Sequence, residues 1–273
     1  MFKINNRNFL MNNTISSGTR FLSVMSLNLR FGLAEDGPNN WIHRKISFMP
    51  LLSTFENDFY AFQEANDFQI DFLSDLLPDY NYIGRRQPAP AYWQHNIIFY
   101  NKSWKCVYCN HFYLSSTPNM PSRFRGSKWP RQCTLGIFNN GLQNLIIVNT
   151  HFDFSSDVQV KSAKLIRKRL RRHSKKGPII LMGDFNATPD SGCYNEFTSK
   201  VDAYPKFFDA FNNSAIRTCH RFSGKNKGEA IDWILYSGNL IIDNSQVITS
   251  KFSGRYPSDH YPLIASFVFP SPI

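Results

Sequence analysis

Six apolar runs in this chain end in, contain or are entered from a side chain able to hold a metal ion, move a proton or orient an anion. Ile180-Leu181-Met182-Gly183-Asp184-Phe185-Asn186 ends in a carboxylate and an amide two positions apart, which share one side while the chain stays extended. Asp184 can then hold a metal or a water, and Asn186 can donate to a phosphate oxygen. Pro257-Ser258-Asp259-His260-Tyr261-Pro262 sets a hard-cation ligand beside an imidazole that changes charge near neutral pH. Asn149-Thr150-His151-Phe152-Asp153 and Phe62-Gln63-Glu64 close two further runs, and a buried Glu64 would need solvent or a cation to offset its charge. Asn28 follows the run 21–27, and Asp232 sits within Ile231-Asp232-Trp233-Ile234. Each of these alone also reads as an Asx-rich or polar turn. Taken together they are strands delivering Asn28, Glu64, His151, Asp184, Asn186, Asp232, Asp259 and His260 to one sheet edge, where oxygen ligands gather a divalent metal.

The elements that must position these residues are legible as periodicities. Apolar, β-prone runs predict strands over 21–27, 58–62, 96–100, 105–114, 133–138, 145–149, 178–182, 231–236 and 263–269. Phe68, Phe72 and Leu76 at i, i+4, i+8 predict an amphipathic helix over 67–77. Ala163, Ile166 and Leu170 predict another over 157–172, with basic residues on its other face. A third candidate, 41–55, carries Pro50, which should kink or end it there. Phe72, Phe197, Phe207 and Phe208 read as core, whereas Trp41, Trp93 and Trp129 read equally as packing or as a substrate rim. Cys106 and Cys109 are spaced for a metal knuckle, but no second pair follows and residues three apart on a strand face opposite ways, which argues against zinc.

Strands and helices interleave without a strict βαβ repeat. The reading is one α/β domain with two sheets over 21–273, preceded by a loose extension over 1–20. The segments 85–91 and 115–130, rich in Pro, read as long loops. The chain has 273 residues, 42% of them apolar and 19% charged, which excludes disorder, collagen and coiled coil. No run approaches the roughly 20 apolar residues of a membrane span, and the first twenty lack a secretory signal's apolar region. Five scattered cysteines suit reduced thiols, so the expected compartment is the cytoplasm. A net charge of +11 biases the protein toward polyanions. Much of the excess lies between Lys161 and Lys176, where nine of sixteen residues are basic. That stretch is either a solvated helix face or a site for nucleic acid or another anionic surface.

In this order the segments Asn28-Leu29-Arg30, Gln63-Glu64, Asn149-Thr150-His151, Gly183-Asp184-Phe185-Asn186, Ile231-Asp232 and Ser258-Asp259-His260 resemble the endonuclease/exonuclease/phosphatase superfamily over about residues 21–269. Asp36-Gly37-Pro38-Asn39-Asn40-Trp41, Tyr113-Leu114-Ser115-Ser116-Thr117-Pro118 and Pro130-Arg131-Gln132-Cys133-Thr134 look like a bacterial branch of largely uncharacterised members. The resemblance implies a four-layered α/β sandwich of the DNase I-like kind, two mixed β-sheets face to face with helices outside, and in-line hydrolysis of phosphoesters. It implies that Glu64 and Asp259, with Asn28, hold Mg²⁺ or Mn²⁺, and that Asp184 positions or deprotonates the attacking water. Asn186 and Asn28 would orient the phosphate, His260 paired with Asp232 would support the developing charge, Arg131 would grip a phosphate oxygen, and His151 would act as second imidazole. Where many relatives carry a glutamate that orients the second histidine, this chain has Gln94, or His95 in some part of that role. The expected substrate is a nucleic acid or nucleotide. The alternatives are an inositol phosphate, sugar phosphate or sphingomyelin, and beyond those a catalytically silent binding module.

Overall fold

The computed structural model describes residues 20–86, 89–200, 205–212, 217–225 and 228–270. Its elements are β1 (Arg20–Asn28), α1 (Trp41–Arg44), α2 (Phe48–Thr54), β2 (Phe59–Ala65), α3 (Asp67–Leu76), β3 (Tyr80–Ile83), β4 (His95–Asn101), β5 (Lys105–Tyr113) and β6 (Gln132–Asn139). There follow β7 (Asn144–His151), α4 (Ser156–Arg171), β8 (Ile179–Asp184), α5 (Gly192–Thr198), β9 (Phe208–Asp209), β10 (Asp232–Ser237), β11 (Ile241–Val247) and β12 (Leu263–Phe269).

Two six-stranded sheets form, in the orders β11-β12-β1-β2-β4-β3 and β5-β6-β7-β8-β10-β9. Each has the same pairing pattern. One parallel pair, β1 with β2 or β7 with β8, lies at the centre and antiparallel strands flank it. The central strands are apolar on both faces because each face meets a core. Ile180 and Met182 of β8 join Leu22, Val24, Phe59 and Ile98 of the opposite sheet in the layer between sheets. Ile179 and Leu181 point the other way, onto Ala163, Ile166 and Leu170 of α4. A third core joins α1, α2 and α3 to the outer face of the first sheet through Trp41, Phe48, Leu51, Ile70 and Leu73. Each fully buried Leu, Ile or Phe contributes about 1.5–3 kcal/mol. The result is the α/β sandwich with outer helices that the resemblance implied.

Several local expectations are corrected. β3, β9, β11 and α5 were not anticipated. The three strands are short or lie at sheet margins, and β11 carries the polar Asp243-Asn244-Ser245-Gln246, exposed or half-buried, so only the short run Leu240-Ile241-Ile242 marks it. The 41–55 helix breaks at a 3-10 turn, Lys45–Ser47, one turn before Pro50. A proline ring collides with the carbonyl four residues back, here Ile46. Helix α3 buries Gln69, Ile70 and Leu73, while Phe68 is exposed and Phe72 and Leu76 only half-covered. Phe208, expected in the core, is exposed, whereas Phe197 and Phe207 are buried. A β-bulge at Val107 puts Cys106 and Cys109 opposite Phe138 and Gly136, and thus on one face rather than two. The extension expected over 1–20 lies, apart from Arg20 at the start of β1, outside the described residues.

Candidate active site at the ends of the parallel strands

β1, β2, β7 and β8 run toward one edge of the sandwich, and their last residues include Asn28, Glu64, His151 and Asp184. Register does the first part of the positioning. Asp184 has His151 beside it on β7 and Asp232 beside it on β10 as direct cross-strand partners. β7 and β8 come so close that a Cβ on Gly183 would lie 2.1 Å from the Thr150 carbonyl oxygen, so only glycine fits the position before Asp184.

Backbone strain does the second part. Glu64 sits at a register shift between Phe62 and Ala65 with φ +58°, and Asn186 (φ +48°) and Arg30 (φ +59°) are also left-handed. Glu64 is thereby turned to accept from the Phe31 N–H at 2.6 Å and from Asn28 Nδ2 at 3.2 Å. The same Asn28 Nδ2 reaches Asp184 Oδ2 at 2.9 Å, while Asn28 Oδ1 accepts from the Arg30 N–H at 2.8 Å. Asn28 therefore ties the two carboxylates together and presents its amide nitrogen, not its oxygen, to them.

His260 Nδ1 lies 2.8 Å from Asp232 Oδ2, and its Nε2 is 3.9 Å from Asp184 Oδ2. His151 Nε2 lies 3.6 Å from Asp184 Oδ2 and 4.0 Å from Glu64 Oε1. Burial and the nearby charge of Asp232 push the Asp184 carboxyl up to about 7. Burial pulls His260 down, but the charge and hydrogen bond of Asp232 outweigh it and leave the imidazole well above its ordinary value. His151 goes the other way, well below its ordinary value, through burial and the cations Arg131 and His260. Arg131 Nη1 is 3.0 Å from His151 Nδ1, so a guanidinium that can only donate holds Nδ1 as an acceptor. No bond joins Gln94 to His151: Arg131 occupies the place expected for it, and His95 instead faces Asp67 at 3.3 Å.

The donor set fits a hard divalent ion. Glu64 and Asp259, with side chains 15% and 12% exposed, offer it oxygens, while Asp184, Asp232 and His260 form a drier cluster in which Asp232 Oδ1 has no hydrogen-bond partner. One atom each from Asp184, Asp232 and His260 lie within 4.8 Å of one another. Asp259 accepts from Ser258 Oγ at 3.2 Å and lies 3.9 Å from Arg30 Nε. Arg131 Nε is likewise buried without a partner, as suits a cation awaiting an anion.

A model of the "Endonuclease/Exonuclease/phosphatase family" matches residues 25–260. The chain belongs to this family. A solved family member from Bacteroides thetaiotaomicron superposes with TM-score 0.83 at 26% identity, over 93% of this chain and all of that one. The mannosyl-6-phosphatase of the same organism does so at TM-score 0.83 and 27% identity, over 91% and all. The chain is also 32% identical, over an alignment of 124 residues, to the 3'-5'-exoribonuclease subunit Ccr4 of the CCR4-Not complex of Yarrowia lipolytica, with 35% of this chain and 18% of that protein covered. It spans less than half the length of the curated relatives it matches.

Four residues around this family site were given no role by sequence reasoning. Gln63 Nε2 donates to Asn149 Oδ1 at 2.8 Å, and Asn149 Nδ2 donates to the Phe62 and Ile97 carbonyls, bolting the two sheets together beneath the site. Both stood inside quoted motifs, a signal that was available. Arg44 is buried and donates to the carbonyls of Pro257 and Arg30, joining two site loops. Burial lowers its pKa to about 10. Arg30 pairs bidentately with Asp36. Arg30 also stood inside a quoted motif, whereas nothing in the sequence separates Arg44 from surface arginines. Of the tryptophans, Trp41 is buried, Trp93 half-buried and Trp129 exposed.

Proposed function

We propose that this chain is a divalent-metal-dependent phosphoester hydrolase that directs water in line at phosphorus, with a nucleic acid or nucleotide as substrate. The observation that carries this is Asp184: a buried carboxyl raised to about 7, held between two imidazoles and in the field of a guanidinium with an unsatisfied donor. A base whose pKa matches the working pH accepts a proton from water most effectively. Asn28 Nδ2 and the Asn186 N–H fix the orientation of that carboxylate.

The residues divide the remaining work. His260, kept cationic by Asp232, sets positive charge next to the reacting phosphoryl group. His151, kept neutral, accepts from Arg131 at Nδ1, so its proton sits on Nε2, 3.6 Å from Asp184 Oδ2 and 4.0 Å from Glu64 Oε1. This supports donation to a phosphate oxygen rather than transfer of an acid proton. Arg131 turns its unpaired Nε–H to the phosphate. Glu64 and Asp259 would hold Mg²⁺ or Mn²⁺. They are more open than Asp184 and Asp232, and Mg²⁺ keeps several of its waters. When bound, the ion neutralises phosphoryl charge and stabilises the leaving oxygen.

The test is hydrolysis of single- and double-stranded DNA, RNA, mononucleotides, inositol phosphates, sugar phosphates and sphingomyelin, with Mg²⁺ or Mn²⁺ and again with chelator. Metal-dependent cleavage of nucleic acid or nucleotides is expected. Whole-chain likeness to a mannosyl-6-phosphatase favours a sugar phosphate as the second reading, and selective sugar-phosphate hydrolysis would establish it. Silence across the panel would leave a binding module.

A further inference from the structure

Helix α4 starts at the catalytic edge and leads away from it. Gln159 Nε2, in its first turns, donates to the carbonyls of Asp153 (2.9 Å) and Asn186 (2.7 Å), so the helix is bonded directly to the site. Sixteen residues at 1.5 Å each carry it about 24 Å outward. Its apolar side is spent on the core through Val158, Ala163, Ile166 and Leu170. Its outward stripe is Lys161, Lys164 and Lys168, all exposed and spaced 3 and 4 residues apart. Among the described residues no ion pair involves these three lysines, although Arg167 on the inner side has Glu196. Like charges at i, i+3 and i, i+4 destabilise a helix by about 0.2–0.5 kcal/mol per pair, and exposed Asp157, four residues before Lys161 at the near end of the stripe, offsets only one such pair.

At the near end of the stripe the surface changes character. Asp153 Oδ2 accepts from Ser127 Oγ and the Lys128 N–H at 2.9 Å and from the Trp129 N–H at 3.4 Å, which pins the 123–131 loop onto the end of β7. Two large rings stand out there, Trp129 at 54% and Phe154 at 62% exposure. The Arg131 guanidinium that faces His151 lies 5.7 Å from the Phe154 ring centre, which places that ring at the mouth of the site. Arg123, Arg125 and Lys128 of the same loop are exposed, and a Cβ on Gly126 would lie 3.7 Å from Val158 at the start of α4.

We propose that a single-stranded polynucleotide crosses the site mouth on Phe154 and Trp129 and continues along the Lys161–Lys164–Lys168 stripe of α4. The proposal deepens the reading of the site as acting on nucleic acid, and rests on it. A positive groove that follows the backbone, joined to aromatic rings that stack bases without reading them, is the physical recipe for sequence-tolerant single-strand binding. An anionic membrane fits less well, because an interfacial helix needs an apolar face toward lipid and that of α4 is buried against β7 and β8.

The experiment measures binding of a labelled 20-nucleotide single strand by fluorescence anisotropy, in chelator so that no hydrolysis intervenes, from about 50 to 200 mM salt. The combined Lys161→Glu, Lys164→Glu, Lys168→Glu variant should bind about 10-fold or more weakly. Its log–log salt slope should be shallower by about 2, since each phosphate contact on a single strand contributes about 0.7. The corresponding Lys→Gln variant, which preserves helix propensity, should move the same way by less. Trp129→Ala with Phe154→Ala should weaken binding about fivefold or more without changing the slope. Metal-dependent hydrolysis of a small diester by the lysine variants should match the parent protein. Unchanged strand affinity in both lysine variants overturns the track while leaving the site reading intact. Loss of binding to phosphatidylserine vesicles with strand binding preserved overturns it in favour of a membrane surface. Strand binding that depends on the stripe, in a protein that hydrolyses only sugar phosphates, sustains the track and removes the nucleic-acid reading of the site.

Discussion

The two sheets are built alike and contribute differently. Each has a central parallel pair flanked by antiparallel strands, and each delivers polar residues at the carboxyl ends of that pair. The first sheet ends in Asn28 and Glu64, positioned through a bulge and a left-handed residue, with Glu64 partly exposed and gripped by two N–H donors. The second ends in His151 and Asp184, aligned by plain register beside Asp232, all of them buried, with the pKa values of His151 and Asp184 driven far from normal. One backbone pattern thus supplies an open carboxylate suited to a hydrated ion and a dry cluster suited to holding protons. The difference lies in solvent: burial multiplies electrostatic interaction, and exposure permits a metal to keep its waters.

The largest test of that division is Asp184→Asn, which should reduce turnover about 1,000-fold, with His260→Asn close behind. Excess Mn²⁺ should rescue neither, and both proteins should keep the parent's circular dichroism. Glu64→Gln should instead raise the metal concentration needed for half-maximal rate about 10- to 100-fold, with activity largely recovered at saturating metal. Equal rescue of Asp184→Asn and Glu64→Gln in a metal titration would erase the distinction between the sheets.

A smaller effect concerns the loop that presents Asp259 and His260. His220 stacks on Tyr261 at 3.9 Å, its backbone N–H donates to the Asp259 carbonyl, and burial lowers its pKa to about 4. The unfolded chain takes up this proton near pH 6.5 and the folded one only near 4, so acidification through that window favours unfolding. Urea midpoints between about pH 7 and 4.5 should fall less steeply in His220→Gln than in the parent. The smallest effect is expected from Gln94→Glu. Because Arg131 rather than residue 94 meets His151 Nδ1, kcat should change less than about twofold, and a tenfold rise would restore residue 94 as the orienting group.

Much of the site was legible because strand ends are. An apolar run that stops at Asp184 or His151 announces a polar group delivered to an edge, and the ordered set of such stops carried the family resemblance. What the runs could not announce were contacts between segments far apart in the chain. Arg44 bonds to Arg30, 14 residues before it, and to Pro257, 213 residues after it, and its neighbours in sequence give no sign of either contact. The same holds for the group at His151 Nδ1: proximity of Gln94 or His95 to a matched strand says nothing about which side chain reaches it, and in the structure Arg131 does. The Phe68, Phe72 and Leu76 stripe misled because α3 buries the face containing Gln69, which caps its own helix through Asn66.

By itself the sequence determined which residues were available at the ends of the central strands, because a continuous apolar run marks where a strand buried on both faces lies and where it stops. It also determined the excess of positive charge and its concentration between Lys161 and Lys176. Only the tertiary structure decided which carboxylate is dry and which is open, which imidazole is neutral and which is cationic, and that the lysine stripe leads from the mouth of the site. Those are properties of distance and solvent exclusion, which arise when two sheets and an outer helix pack together.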